Sequence, residues 1–410
     1  MMRKSLGVLA ATGLLATAVA APAAAQEGRE VTIAEGDPIL IGGYGPMTGP
    51  LGFLGLDWMI AVDVAIDEMG GELLGHPVEL VREDGLCNPQ DGGTAANALV
   101  ANPDIVGVIG GTCSDEVAAG IKAITDADLT SISPSATRDA FTFPDRGPEF
   151  DGFMRTAFSD RFQGPEVAKF VVEELGLTKV ATIHDGSTYS SGLVDTFKAK
   201  FLELGGEITR EESVTAGVTT DMGPALTAIA ATNPEAIYLP VFPNTGGFIL
   251  QQVRGIEGLE ETVMIGSDGL LVASFIDVAG PDVVGMYVTG GDSRRFTEDY
   301  DDFVAKYLEL SGESTTLGPF HAHGYDAANM VFAAIEDVAV DNGDGSHTIN
   351  LLDLRARVRA TADHPGLTGT ITCDEYGDCG VPLVAAYQIT QAQVDEGAWP
   401  PEAVWPPVDE

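Results

Sequence analysis

The stretch Gly110-Gly-Thr-Cys-Ser114, continuing through Glu116 and Val117 to Ser133-Pro-Ser-Ala-Thr137, decides the fold. Ahead of it, residues 105–109 are a β-branched apolar run of strand length, which glycines break. Ser114-Asp115-Glu116 has the composition of a helix start. The next apolar run, 129–132, ends in a second turn rich in hydroxyls. Strand, turn, helix, strand, turn is a parallel-sheet unit, and both turns fall at the carboxyl edge, where open α/β sheets bind ligands. Alone, Ser114 reads as a helix N-cap, and Ser135 and Thr137 as turn formers. Gathered on one edge with free helix N-terminal amides, they suit a small anion such as a carboxylate. The expectation is half of a small-molecule site in a protein that binds without doing chemistry.

The same alternation extends in both directions. Strands are expected over 39–45, 77–81, 179–184, 207–214, 236–239, 263–265, 285–289 and 383–389. Helices are expected over 55–69, 92–99, 165–175, 192–204, 222–231, 246–253, 271–278, 301–310, 323–340 and 351–361. This predicts an α/β fold with mainly parallel sheets. Residues 139–151, with Pro144, Gly147 and Pro148, read as an irregular boundary before a second series of units. The chain up to about Gly36 and the acidic, proline-rich 399–410 read as loose tails. The two halves share architecture but no sequence repeat.

The N-terminus begins Met-Met-Arg3-Lys4, continues apolar to about Ala20 and reaches Ala23-Ala-Ala25. That is a secretory leader, residues 1–25, with cleavage expected after Ala25. No later stretch has the look of a membrane-spanning helix, so the mature chain is expected to be exported and soluble. With 62 acidic and 21 basic residues the formal charge is −41, and removing Arg3 and Lys4 takes it to −41 − 2 = −43. Nucleic acid and anionic membrane surfaces are therefore excluded as partners. Four cysteines in an exported chain predict disulfides, for which three pairings exist. Cys373 and Cys379 flank the turn-forming Asp374-Glu-Tyr-Gly-Asp378, which leaves Cys87 to join Cys113.

Other constellations carry no chemistry. His321 and His323, two apart at a helix start, do not face each other, and no metal is expected. The loop Asp341-Asn-Gly-Asp344-Gly-Ser lacks the first and last calcium ligands of the motif it superficially matches. Gly43-Tyr-Gly45 is followed by Thr48 where a dinucleotide fingerprint needs glycine. There is no Gly-x-Ser-x-Gly elbow, no phosphate-cradling Gly-Lys-Ser/Thr and no activated nucleophile. No cofactor is expected.

Several segments taken together resemble the leucine/isoleucine/valine-binding proteins, the type I periplasmic substrate-binding components of ATP-binding-cassette (ABC) importers. They are the strand and loop ending Met47-Thr-Gly-Pro50, Asp84-Gly-Leu-Cys87-Asn-Pro89 with Gly111-Thr-Cys-Ser114, Ser133 to Thr137, His184-Asp185 with Tyr189, and Gly266-Ser-Asp-Gly269. Their order and spacing carry the resemblance, which spans roughly 39–389. It implies two α/β lobes joined by three crossings, near Phe158, Thr289 and Val384, that close on ligand. The implied lobes are 26–158 plus 290–384 and 159–289 plus 385–410. It further implies that Ser114, the main chain at Ser135 and Ala136, and Thr137 hold a ligand carboxylate. Asp268 meets an ammonium, Tyr189 and Phe242 cover the ligand, and Leu54 lines its side-chain pocket. The implied role is capture of a branched-chain-type amino acid, by a monomer, for a permease of the inner membrane. An amide, a urea-like compound, an aromatic carboxylate or a sensing role are the alternatives. Asp268 stands where the leucine binders have a longer glutamate, and Phe242 lacks a phenol. The segment 145–152 and the cystine turn at 373–379 are additions to the family pattern.

A surface this acidic repels itself, and salt screens that repulsion. The melting temperature is expected to rise as sodium chloride is raised from low to molar concentration; a flat response would remove the saline-environment reading.

Overall fold

The computed structural model describes residues 28–397 and 399–407; the leader expected over 1–25 lies outside them. Two sheets form the frame. The first has the spatial order Glu72–Leu73, His76–Asp84, Ile39–Gly45, Ile105–Gly110, Ser131–Ser133 and Phe153–Arg155, parallel except for the short first strand. The second runs Glu402–Trp405, Val384–Gln388, Tyr287–Gly291, Val263–Ile265, Ala236–Tyr238, Lys179–His184 and Glu207–Ser213. Its last five strands are parallel and its first two antiparallel. Strands such as Ile105–Gly110 are buried at every position because helices cover both faces, so they read as continuous apolar runs.

Strand order places the ligand edges. In the first sheet the chain leaves Ile39–Gly45 toward one neighbour and later returns on the other side at Ile105–Gly110. In the second, Lys179–His184 is flanked by Glu207–Ser213 on one side and Ala236–Tyr238 on the other. Each reversal opens a crevice beyond the strand carboxyl ends. The helix starts there carry Leu54 and Ser114 in one lobe, and Tyr189 and Phe242 in the other.

Three crossings join the lobes: 156–159 after Phe153–Arg155, the chain after Tyr287–Gly291, and the chain before Val384–Gln388. The first and third touch so closely that a Cβ on Gly380 would stand 2.0 Å from the Ala157 carbonyl oxygen, so only glycine fits there. Both disulfides form, Cys87–Cys113 and Cys373–Cys379.

Several expectations are corrected. Glu30–Ile33 is a strand, antiparallel to His347–Asn350, so the chain before Gly36 is not a loose tail. Residues 399–407 are not loose either: Glu402–Trp405 extends the second sheet, and Arg294 Nη1 and Nη2 donate to the Ala403 and Pro406 carbonyls at 3.3 and 3.0 Å. Neither β-strand was legible, since each is short and polar and depends on a partner strand distant in sequence. Segment 139–151 belongs to the first-lobe core, where Phe141 stacks on Phe150 at 4.8 Å. The helix expected from Gly192 begins at Thr188, because Ser187 Oγ accepts the Ser190 amide and caps it. Finally, Gly49–Glu68 does have a spanning helix's length and a mean hydropathy of 1.5, but 56% of it is buried within the fold, so its apolarity serves the core.

Trp405 packs against Phe170 (6.1 Å between ring centroids). Trp405→Ala should therefore lower the unfolding free energy by about 1–2 kcal/mol in urea titration, whereas a loose tail would give no change.

Candidate functional site

The first-lobe half is held rigid by two buried acceptors. The Glu116 carboxylate, fully buried, takes the amides of Cys87 (2.9 Å), Thr112 (3.0 Å) and Cys113 (2.9 Å). It thereby fixes both cysteine loops and starts the helix Ser114–Asp126. Burial pushes its carboxyl up to about 7, and the three amides oppose that. The Ser133 hydroxyl donates to the Gly111 carbonyl (2.6 Å) and accepts the Ala136 amide (2.8 Å), joining the two turns. Cys113, not Ser114, is the N-cap residue. The Ser114 hydroxyl is buried with no hydrogen-bond partner, and so is that of Thr137.

The second-lobe half follows from the helix that begins at Thr188. Tyr189 sits in its first turn, and its hydroxyl donates to Asp268 Oδ1 (2.9 Å) and accepts from the Ser267 hydroxyl (2.5 Å) and the Gly269 amide (3.2 Å). Phe242 precedes the helix Pro243–Val253, its ring 5.2 Å from that of Tyr189. Asp160 opens the helix that follows the first crossing; its amide donates to the Thr137 carbonyl at 2.9 Å, yet neither carboxyl oxygen has a partner.

Between the halves lies a cavity of about 290 Å³, lined by Leu54, Thr112, Cys113, Ser114, Ser135, Tyr189, Phe242, Asp268, Gly269 and Phe320. Six of the eight residues singled out in the sequence thus meet at one place. Ala136 and Thr137 do not line it. The Ala136 amide is committed to Ser133 and its carbonyl accepts from Arg155, so Ala136 backs the site instead of facing it, a correction to the expected contact. Thr137 stands behind the lining, against Asp160. The lobes are closed over Asp268, which is buried. Closure is latched on the rim, where the Asp115 carboxylate of one lobe accepts the Thr188 amide (3.1 Å) and hydroxyl of the other.

The electrostatics are lopsided. Burial is the main cause pushing Asp160 up to about 8; the neighbouring Asp268 charge adds to it, while Thr137 and Arg155 oppose it without a hydrogen bond of normal geometry from either to Asp160. Burial likewise lifts Asp268 to about 6, against the help of Gln163 and Tyr189. At neutral pH the pair holds about one negative charge. Facing it are unpartnered hydroxyls and apolar walls. Asp160, Thr112, Phe320 and Asp115 escaped sequence reading; an acid opening a helix just past a crossing was the one visible sign, and it belongs to Asp160.

His321 and His323 do not converge on a common point. His321 Nδ1 faces the Gly318 carbonyl and Nε2 the Tyr300 hydroxyl, while His323 packs among Phe158, Phe296 and Phe320, where burial lowers its pKa to about 3. Among the described residues no group of three or more His, Cys, Asp or Glu side chains is arranged to hold a metal.

Residues 38–394 match the family model described as periplasmic binding protein. A leucine-specific-binding protein of Salmonella typhimurium is 30% identical over 381 residues, 92% of this chain and 94% of that one. An amino acid binding protein of Pseudomonas aeruginosa is 28% identical over 357 residues, covering 85% and 90%. A solved structure from Streptococcus pneumoniae, a branched-chain amino acid transporter substrate-binding protein in complex with isoleucine, superposes with a TM-score of 0.76 at 25% identity, covering 90% of this chain and all of that one. The leucine-binding protein of Thermotoga maritima gives 0.74 at 25% identity, covering 86% and 95%.

Because folding raises the pKa of Asp160 from 3.8, its neutral form favours the folded state. That contribution is complete below about pH 4 and is lost as pH climbs toward 8. Asp160→Asn should therefore gain stability relative to the unmodified protein between pH 5 and pH 9, on the order of 2 kcal/mol by denaturant titration. Parallel pH profiles would show that Asp160 is not held as described.

Proposed function

The chain belongs to the periplasmic binding protein family, and from that membership we propose that it is the exported substrate-binding component of an ABC importer, capturing a branched-chain-type amino acid and delivering it to the permease. The observation that carries the reading is the set of buried polar groups the closed lobes bring together: the Ser114 hydroxyl, which lines the cavity without a partner, and the Asp268 carboxyl, which lines it with one hydrogen bond from Tyr189, backed by the unpartnered Thr137 hydroxyl and Asp160 carboxyl. An α-amino acid is a fixed anion beside a fixed cation. Hydroxyl donors, with the main chain of Ser135 and the dipole at the start of Ser114–Asp126, receive its carboxylate. One shared negative charge on the aspartate pair receives its single ammonium, and in that dry place a charge-assisted bond is strong. Leu54, Phe242 and Phe320 accept an apolar side chain beneath Tyr189.

Ligand then bridges two lobes and shifts their open–closed equilibrium toward the form with the Asp115–Thr188 latch made. Two bodies, 26–158 with 290–384 and 159–289 with 385–410, are the units that move, and a monomer suffices. An aromatic acid or a neutral amide fits less well, since either leaves the buried aspartates without a cation. Unchanged ligand recovered after titration distinguishes binding from turnover.

Titration calorimetry with L-leucine, L-isoleucine and L-valine tests the proposal. Asp268→Asn should cost about 2–4 kcal/mol of binding, roughly 30- to 1,000-fold, because it leaves the ammonium buried against a neutral group. Tyr189→Phe should cost less, removing one donor to Asp268. Equal effects, or no binding by the unmodified chain, would contradict the assignment.

A further inference from the structure

Arg155 ends the last strand of the first sheet, and its guanidinium is fully buried. Nη1 donates to the Arg138 carbonyl at 2.7 Å and the Ala136 carbonyl at 3.3 Å, so it grips the chain on both sides of Thr137. Nη2 donates to Ser159 Oγ (3.0 Å), next to Asp160, and to the Thr142 hydroxyl. Its charge is answered by Asp378, also buried, whose carboxylate lies 3.3 Å from both Nε and Nη2 and 2.7 Å from Arg161 Nη2. Asp378 comes from a point 223 residues further along the chain. It is presented by the ring that Cys373–Cys379 closes, where Asp374 Oδ1 accepts the amides of Tyr376 and Asp378, both at 2.9 Å. Backbone bonds weld this ring to the strand end: Arg155 N to Gly377 O and Cys379 N to Arg155 O, both 3.0 Å.

We propose that Arg155 is a positioning residue for the ligand site and that the Cys373–Cys379 ring is the part that aims it. Only arginine presents a planar fork able to serve two carbonyls, two hydroxyls and a carboxylate together. Fixing the Ala136 and Arg138 carbonyls fixes the backbone of Thr137 between them, and holding Ser159 fixes the start of the helix that carries Asp160. A site held so loses less freedom on binding. The ring, an addition to the family pattern, is thus a working part of the site although it does not line the cavity. The inference rests on the proposed reading, in which Ser135, next to the Ala136 carbonyl that Arg155 holds, and the Asp160–Asp268 pair act on the ligand.

The test is L-leucine titration calorimetry on the full chain carrying Cys373→Ser with Cys379→Ser, which leaves Cys87–Cys113 intact, and on Arg155→Lys. Each should lose at least tenfold in leucine affinity at a temperature where circular dichroism shows a native fold. Ile229→Ala, in the second-lobe core, should bind leucine as the unmodified protein does even where it melts equally early. Lysine keeps the charge opposite Asp378 but not the fork, so a role limited to charge balance would be rescued by it. Binding within twofold of the unmodified protein in the opened-ring and lysine variants would overturn the inference. If opening the ring prevents folding, Asp374→Ala, which removes the acceptor of the turn together with the Arg161 contact, carries the test with the same two outcomes. Failure of the unmodified chain to bind leucine would instead overturn the underlying reading, and this inference with it.

Discussion

Burying Asp160 beside Asp268 is the constraint on which the rest of the structure depends. Two carboxyls withdrawn from water next to each other cannot both stay ionised, and Arg155, whose charge favours ionised Asp160, makes no hydrogen bond to it. Tyr189 gives Asp268 one donor; Asp160 has none. In a closed cleft this is a standing cost, and a bound ammonium relieves it. An arrangement that is unfavourable inside the protein alone and favourable around a zwitterion is how binding energy can be directed into lobe closure.

The opposite half of the cleft meets a complementary requirement, donors that point nowhere else. That requires the backbone around them to be immobile, since a free turn would satisfy its own hydroxyls. Glu116, Ser133 and Arg155 each tie two or more backbone groups of the 111–138 region, and each is fully buried. With the amides of Thr112 and Cys113 taken by Glu116 and the Ala136 amide by Ser133, the Ser114 hydroxyl is left without a partner on the lining and the Thr137 hydroxyl behind it. The two disulfides brace this region from either side, one through the Glu116 loops and the other through Asp378.

Much of this was legible in the sequence, for a physical reason. Parallel strands covered on both faces read as unbroken apolar runs, and turns at their carboxyl ends read as glycines and hydroxyls, so the alternation and the edge bearing Ser114 and Ser135 could be placed from composition and spacing, whereas Tyr189 and Asp268 came only from the family resemblance. What stayed hidden depends on distant pairing. Glu30–Ile33 and Glu402–Trp405 have little apolar pattern of their own and become strands through His347–Asn350 and Val384–Gln388. Asp160 reads as one more acid in a chain of 62; only burial distinguishes it. Ser114 reads as a cap until the neighbouring Cys113 is seen to hold that position. The Ala136 contact failed for a related reason, because a competing acceptor, Ser133 Oγ, is only three residues away.

The central claim is that the two half-sites are each matched to one charge of a single guest. The most direct measurement is calorimetric comparison of L-leucine with 4-methylpentanoate, which lacks the ammonium, and with 3-methylbutylamine, which lacks the carboxylate. The account predicts that leucine binds and that each analogue binds at least 100-fold more weakly. An analogue that binds as tightly as leucine would show that its missing charge has no partner in the cleft, and would contradict the account.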